Sequence, residues 1–319
     1  MATTTSITTT YAGEFAGQYV AAALLSANTI EQGLITVKPN VKYKEVLKKL
    51  SLNDVLKDST CDFTATSTVT LTERILTPVE LQVNLQLCKA DFRSDWEAVQ
   101  MGYSAHDNLP KTFADFMIAH VAAKVAAKIE QNIWQGNDSN TGEFDGFEVL
   151  LRNDSDLPNA QEVTGTTVTA ANAITELGKL VDAIPSTIYG REDLYIYCSR
   201  NIFKAYIRAL GGYGQATNQN HAGIENKGNL WYANGAVSFD GIPVVMCSGM
   251  SDDTAICTYK ENLYFGTGLL SDHNEVKLLD MADLDGSQNV RVVMRMTGAV
   301  QYANVEDIVT YGIENPFVS

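Results

Sequence analysis

Histidine is scarce in this chain: four in 319 residues, His106, His120, His221 and His273, with no HxxxH or HExxH spacing among them. Zinc chemistry and a histidine general base therefore have little to draw on. The five cysteines, Cys61, Cys88, Cys198, Cys247 and Cys257, are odd in number and lack CxxC spacing. Most fall in apolar runs such as LYIYC and VVMC, which predicts buried free thiols in a reducing compartment rather than a disulfide framework. No uncharged apolar run reaches the roughly 18 residues of a membrane span, and MATTTSITTT offers neither a basic nor an apolar leader segment. Membrane insertion and signal-directed export are not expected. Positive charge is short as well: 23 Lys+Arg stand against 38 Asp+Glu, a net charge of −15. Gripping nucleic acid needs clustered cations, so a phosphate-binding role is disfavoured. A wall that encloses nucleic acid without sticking to it remains compatible with this charge.

Signatures of chemistry are missing too. There is no GxSxG, GxxxxGK[ST] or GxGxxG, and Gly211-Gly212-Tyr213-Gly214 follows a helical pattern instead of preceding one, the wrong context for cradling phosphate. Asp280, Asp283 and Asp285 before Gly286 lack the spacing and closing Glu of a calcium loop and read as a turn between strands. No catalytic, cofactor-binding or metal-binding residue emerges.

What is present is architecture. Pro110–Gly136 reads as one long helix, with Phe113, Phe116, Met117, His120, Val121, Val125, Ile129 and Ile133 on an apolar stripe. Lys111, Lys124, Lys128, Glu130 and Gln131 fall largely off that stripe, and His120 reads as a core histidine. Thr112 with Asp115 resembles a capping box, and Gly136 is expected as a left-handed stop. Before this helix come a loose Thr/Ser-rich tail over 1–10 and an Ala-rich helix over Glu14–Asn28. A basic island holds Lys38, Lys42, Lys44, Lys48, Lys49 and Lys57, readable as an arm docking on an acidic neighbour or as a solvated helix face. Cys61 to Leu87 alternates strongly about Thr77-Pro78, predicting a long hairpin of two strands, and Phe92–Tyr103 a short helix.

After a polar link near residue 140, a plausible boundary, Thr169–Ile184 predicts a helix with Ile174, Leu177, Leu180, Val181 and Ile184 on one side. Leu194–Cys198 reads as a buried strand and Asn201–Leu210 as a helix capped by Ser199. Gly211–Asn229 is a long polar, Gly-rich loop of the kind used at functional or interfacial sites. Further strands are expected at Gly241–Cys247, Ala255–Tyr259, Leu263–Gly266, Glu275–Leu279, Val290–Thr297 and Asp307–Tyr311, giving an α+β chain without internal repeats.

This order of elements, with the strings FADFMIAHVAAKVAAKIEQNIWQG, LYIYCSRNIFKAYIRAL, GIPVVMCSGM, LYFGTGLLSD and VRVVMRMTGAVQYANVEDIVTYG, resembles the major capsid proteins of tailed bacteriophages, the Hong Kong 97 type fold. The resemblance implies an N-terminal arm over 1–35 and an extended hairpin, the E-loop region, over 36–75. It implies a peripheral domain over 76–165 and 267–319 with a spine helix over 111–135, and an axial domain over 166–266. Lys42, Lys44, Lys48 and Lys49 become candidates for contact between subunits; Tyr213 and His221 lie in the loop expected at the axis of hexamers and pentamers.

The function so implied is an icosahedral shell enclosing double-stranded DNA, assembled in the host cytoplasm and residing in the virion. Its partners would be further copies of itself, a portal and separate scaffolding or decoration proteins, with no membrane and no cofactor. An encapsulin-like compartment shell is the alternative, and a soluble α/β enzyme a more distant one. Some members of the capsid family join a Lys of the E-loop to an Asn of a neighbour with help from a Glu. Spacing singles out no such trio here, so a shell held without covalent links is expected.

Overall fold

The computed structural model describes residues 28–41, 43–52, 69–88, 111–210, 237–268, 277–282 and 286–314, together with 56, 58, 59 and 61. Three sheets organise these residues. A five-stranded sheet centres on β12 (Asn289–Tyr302), whose 14 residues pair along one edge with β4 (Val79–Cys88). Its remaining partners are β11 (Lys277–Asp280) and β10 (Leu263–Gly266), the latter joined in parallel by the edge strand β1 (Thr36–Lys38). A six-stranded sheet runs in the order β5 (Glu162–Val163), β13 (Val309–Tyr311), β9 (Ala255–Tyr259), β6 (Leu194–Cys198), β8 (Ile242–Met246) and β7 (Val237–Phe239). The third sheet is a two-stranded ribbon of β2 (Glu45–Leu52) and β3 (Val69–Leu76).

That ribbon corrects the sequence reading twice. The expected hairpin about Thr77-Pro78 does not form: β3 pairs back with β2, while β4 crosses into the sheet of β12. Alternation marks a strand but does not name its partner, and Pro78, with φ fixed and no N–H to donate, joins two sheets instead of turning one hairpin. The basic island is likewise extended chain rather than a helix face, because EVLKKLSL finds an alternating, β-branched partner in VTLTERIL.

The long helix, α2 (Lys111–Gln135), follows a one-turn helix α1 (Asn28–Glu31). Thr112 falls inside the first turn of α2 rather than at its cap; the side chains of residues 111–120, His120 among them, lie outside the described set. Val121, Val125, Ile129 and Ile133 are buried as the stripe predicts, with Lys124 and Lys128 exposed. They pack with Trp134, with Phe147 and Leu151 of α3 (Phe147–Arg152), and with Val292, Met294 and Met296 of β12 in the larger of two main cores.

Two details depart from expectation. Glu130 is fully buried among these residues. Gly136 is not left-handed; it ends the helix where a side chain would strike the Phe144 carbonyl at 2.1 Å. That closeness lets the Gly146 N–H donate to the Gly136 carbonyl (2.9 Å), and Phe144 enters the same core, so the polar segment near 140 is a stitched loop and not a boundary.

The second main core lies about the six-stranded sheet, between it and the helices α4 (Ala173–Asp182) and α5 (Arg200–Leu210). Leu177, Leu180, Val181 and Ile184 are buried, but Ile174 is 51% exposed and Ala173 takes the inward position. Ser199 precedes α5 as expected; its carbonyl accepts the Phe203 N–H (3.1 Å), while its buried hydroxyl has no hydrogen-bond partner, so it does not cap. The larger core reaches the six-stranded sheet at Trp134, whose ring lies 5.4 Å from Phe147 and 5.6 Å from Tyr197 of β6. The Tyr197 hydroxyl donates to the Leu34 carbonyl (2.7 Å), bringing the segment that follows α1 into the junction. Cys198, Cys247 and Cys257 are free and buried, Cys88 is half-buried and Cys61 exposed. Burial alone pushes the Cys257 thiol up to about 12, which keeps it protonated and inert.

Candidate inter-subunit surface

The ribbon has two unlike faces, because side chains alternate across it. Register places Val46 opposite Ile75 and Lys48 opposite Glu73, with Leu71 next along the same face. Val46, Leu71 and Ile75 are 41%, 61% and 45% exposed, and Tyr43, just before the ribbon, 79%. Among the described residues nothing covers this outward face, although each side chain is of the kind that gains by leaving water.

The other face is tied down by charge and packing. Leu47 and Leu76 are buried, and Leu76 joins Val41 and Ala299 in a small cluster of its own. Leu76 packs so closely on β10 that a Cβ at Gly266 would stand 2.5 Å from its Cδ2, so a larger residue there would have to displace the Leu76 side chain. Arg74 donates to the Asp154 carboxylate (2.6 Å) and lies over the Tyr302 ring (4.6 Å), while the Tyr302 hydroxyl donates to the same carboxylate (2.6 Å). Burial works against the charge on Asp154, yet the Tyr302 hydroxyl and Arg74 together hold its carboxyl below the usual range. Gln301 donates to the Ile75 carbonyl (3.2 Å), and Lys38 pairs with Glu45 (2.5 Å). Between ribbon and body lies a polar cleft of about 520 Å³, bordered by Lys49, Thr72, Arg74 and Asn304.

The structure separates the predicted contact residues. Lys48 is exposed on the outward face, and Lys44 is exposed with its ammonium 5.8 Å from the Tyr43 ring centroid. Lys49 points inward, donating to Asn304 Oδ1 (2.6 Å) and to Glu306 (2.8 Å) of its own chain. A Lys, an Asn and a Glu thus meet inside one subunit, but the Glu306 side chain is 66% exposed, so water reaches the group. Lys42, Tyr213 and His221 lie outside the described residues, as do the Ala-rich segment before Asn28, Phe92–Tyr103 and the Gly211–Asn229 loop.

Sequence reasoning missed Arg74, Asp154 and Tyr302, which set how the ribbon leaves the body. A signal existed only for the first: Arg74 is the one cation in VTLTERIL and occupies an inward position of the alternation. Among the described residues no group of His, Cys, Asp and Glu could hold a metal ion, and no helix is long and apolar enough to cross a membrane.

Comparison of the fold with solved structures finds phage capsids. The capsid of cyanophage P-SCSP1u matches at TM-score 0.55 and 14% identity, over 95% of this chain and 92% of that one. The capsid of Myoviridae phage XM1 matches at 0.57 and 12%, over 93% and 94%, and that of a native GTA particle at 0.57 and 12%, over 92% of each chain. No protein-family model and no curated protein sequence matches. The chain has the capsid-type fold that its order of elements resembles, and it shares that fold over nearly its whole length.

Proposed function

We propose that this chain is a major capsid protein, a structural subunit and not an enzyme, whose copies form the hexamers and pentamers of an icosahedral shell around the double-stranded DNA of a tailed phage. The observation that carries the reading is the ribbon: in a capsid-type fold, an apolar face is held outward on charged anchors with nothing among the described residues over it. Association of many copies repeats one modest contact until the shell closes, so a small buried area per subunit is enough. The acidic balance of 23 cations to 38 anions suits a wall that DNA slides past. Lys48 and Lys44 remain candidates for the neighbour's acidic surface; Lys49 serves the anchor in its own subunit.

Electron microscopy of the full chain, produced alone and with the scaffolding candidate of its genome, tests this. Capsomers or closed particles are expected. A chain that stays monomeric in both preparations at high concentration would overturn the reading, and particles that package protein but exclude DNA would turn it to a compartment shell.

A further inference from the structure

Two carboxylates are buried where the two main cores meet, and both hold one loop. Glu130 of α2 is fully buried; it accepts the Thr29 N–H (3.1 Å) and the Thr29 hydroxyl, and the Gly249 amide lowers its carboxyl from the loop side. Trp134 Nε1 donates to the same Thr29 hydroxyl oxygen (3.0 Å). Glu148 of α3 is 2% exposed and accepts the Ser251 N–H (2.8 Å) and the Ser251 hydroxyl (2.5 Å); the Thr254 hydroxyl, 3.3 Å from it, donates chiefly to the Ser251 carbonyl (2.7 Å). Gly249, Ser251 and Thr254 all lie in the loop between β8 and β9. Its backbone rests on α2: a Cβ at Gly249 would stand 2.0 Å from the Glu130 carbonyl oxygen, and Gln135 donates to the Gly249 carbonyl (2.7 Å). The loop's other side is fastened to the second core, where Asp253 accepts from the Val168 N–H (3.1 Å) and from Asn201 (2.5 Å).

We propose that Glu130 and Glu148 form a proton-dependent clasp on the loop between β8 and β9: proton uptake by the two carboxyls tightens the seam between the cores, and proton loss loosens it. The donors on both are neutral. Among the described residues, Arg152 acts on Glu148 by charge without a hydrogen bond, and Cys247, whose thiol burial keeps protonated, is a titratable neighbour of Glu130. A buried carboxylate served only by neutral donors carries most of its desolvation cost. Protonation removes that cost, and acceptors for the new hydroxyls are in reach: Thr29 Oγ1 for Glu130 and Ser251 Oγ for Glu148, each of which then gives up its own donation to the carboxyl.

Desolvation raises both carboxyls above their ordinary value. The stability gained by proton uptake is therefore fully present below the ordinary carboxylate range and is lost as pH rises through the raised folded values. The clasp works above the pH at which surface carboxylates titrate, and through Thr29 it joins α1 to the same event.

Hydrogen exchange of the dispersed full chain across neutral to mildly acidic pH, corrected for intrinsic rates, tests this independently of any shell. The Thr29, Gly249 and Ser251 amides should gain protection relative to β6 as pH falls, by roughly tenfold for each unit by which burial raises a carboxyl. Glu130→Gln with Glu148→Gln should show the protected state at neutral pH and no response to acid. Seam protection that is flat or falls with acid, or a response that persists in the double variant, overturns the proposal. Should that variant not fold, infrared difference spectra of the unaltered chain decide: a protonated-carboxyl band must survive above the ordinary carboxylate range, and its absence overturns the proposal equally.

Discussion

Arg74 is the residue through which the ribbon's direction is set, and its replacement separates two effects. Arg74→Ala removes the cation from the Asp154 carboxylate, 9% exposed, and leaves it neutral donors such as the Tyr302 hydroxyl and the Asp156 N–H. Discounted for the 25% exposure of Arg74, the cost should be about 2 kcal/mol at neutral pH by denaturant unfolding. Asp154 has a lowered carboxyl, so the stability it contributes is present above the ordinary carboxylate range and lost as pH falls through its folded value. The variant should lose less stability than the parent on acidification to about pH 3; an equal loss in both would count against the anchor. The sign is opposite to that of Glu130 and Glu148. Apart from the inward place of Arg74 in its strand, this polarity could not be read from the chain, since a Glu between Ile129 and Gln131 looks like surface until Thr29, 101 residues away, is seen to serve it. Lys49 misleads in the same way, its partners Asn304 and Glu306 lying 255 and 257 residues on.

Elements were far more legible than their partners. The end of α2 at Gln135, the strands Leu194–Cys198, Ala255–Tyr259 and Leu263–Gly266, and the stripe from Val121 to Ile133 follow from local periodicity and stop signals, which the chain carries in place. The pairing of β3 with β2 instead of β4 depends on register and on a proline acting as a bend, neither of which has a periodic signature. The ribbon's faces make a sharp distinction testable. Val46→Glu with Leu71→Glu, on the exposed face, should change subunit stability by less than about 0.5 kcal/mol while abolishing association in sedimentation velocity. Leu76→Ala, on the buried face, should cost about 2 to 4 kcal/mol by thermal unfolding. Assembly at parental yield by the double Glu variant would remove the ribbon from the interface.

For the whole molecule, the fold is shared with capsids at 12% to 14% identity, so what persists is the order of layers and not the side chains that fill them. Mature particles boiled in detergent without reductant should run as a single band near 34.8 kDa, because the described thiols are free and the Lys49 group is open to water. A ladder of multimers would direct attention to Lys49 and Asn304. The long strand β12 also has a consequence in time. Its partner β4 leaves the ribosome at residue 88, yet β12 begins only at residue 289. At ordinary elongation speeds β4 waits roughly 10 to 40 s with its hydrogen-bonding edge unclaimed. In the sheet about β6 the strands β6, β8 and β9 follow one another between Leu194 and Tyr259, so its centre is complete before β12 is made, and only the edge strand β5 waits for β13. A nascent subunit therefore spends its synthesis with the first-made half of its larger core unfinished, which makes that half the part most dependent on chaperones and the ribbon it carries the last surface to become competent.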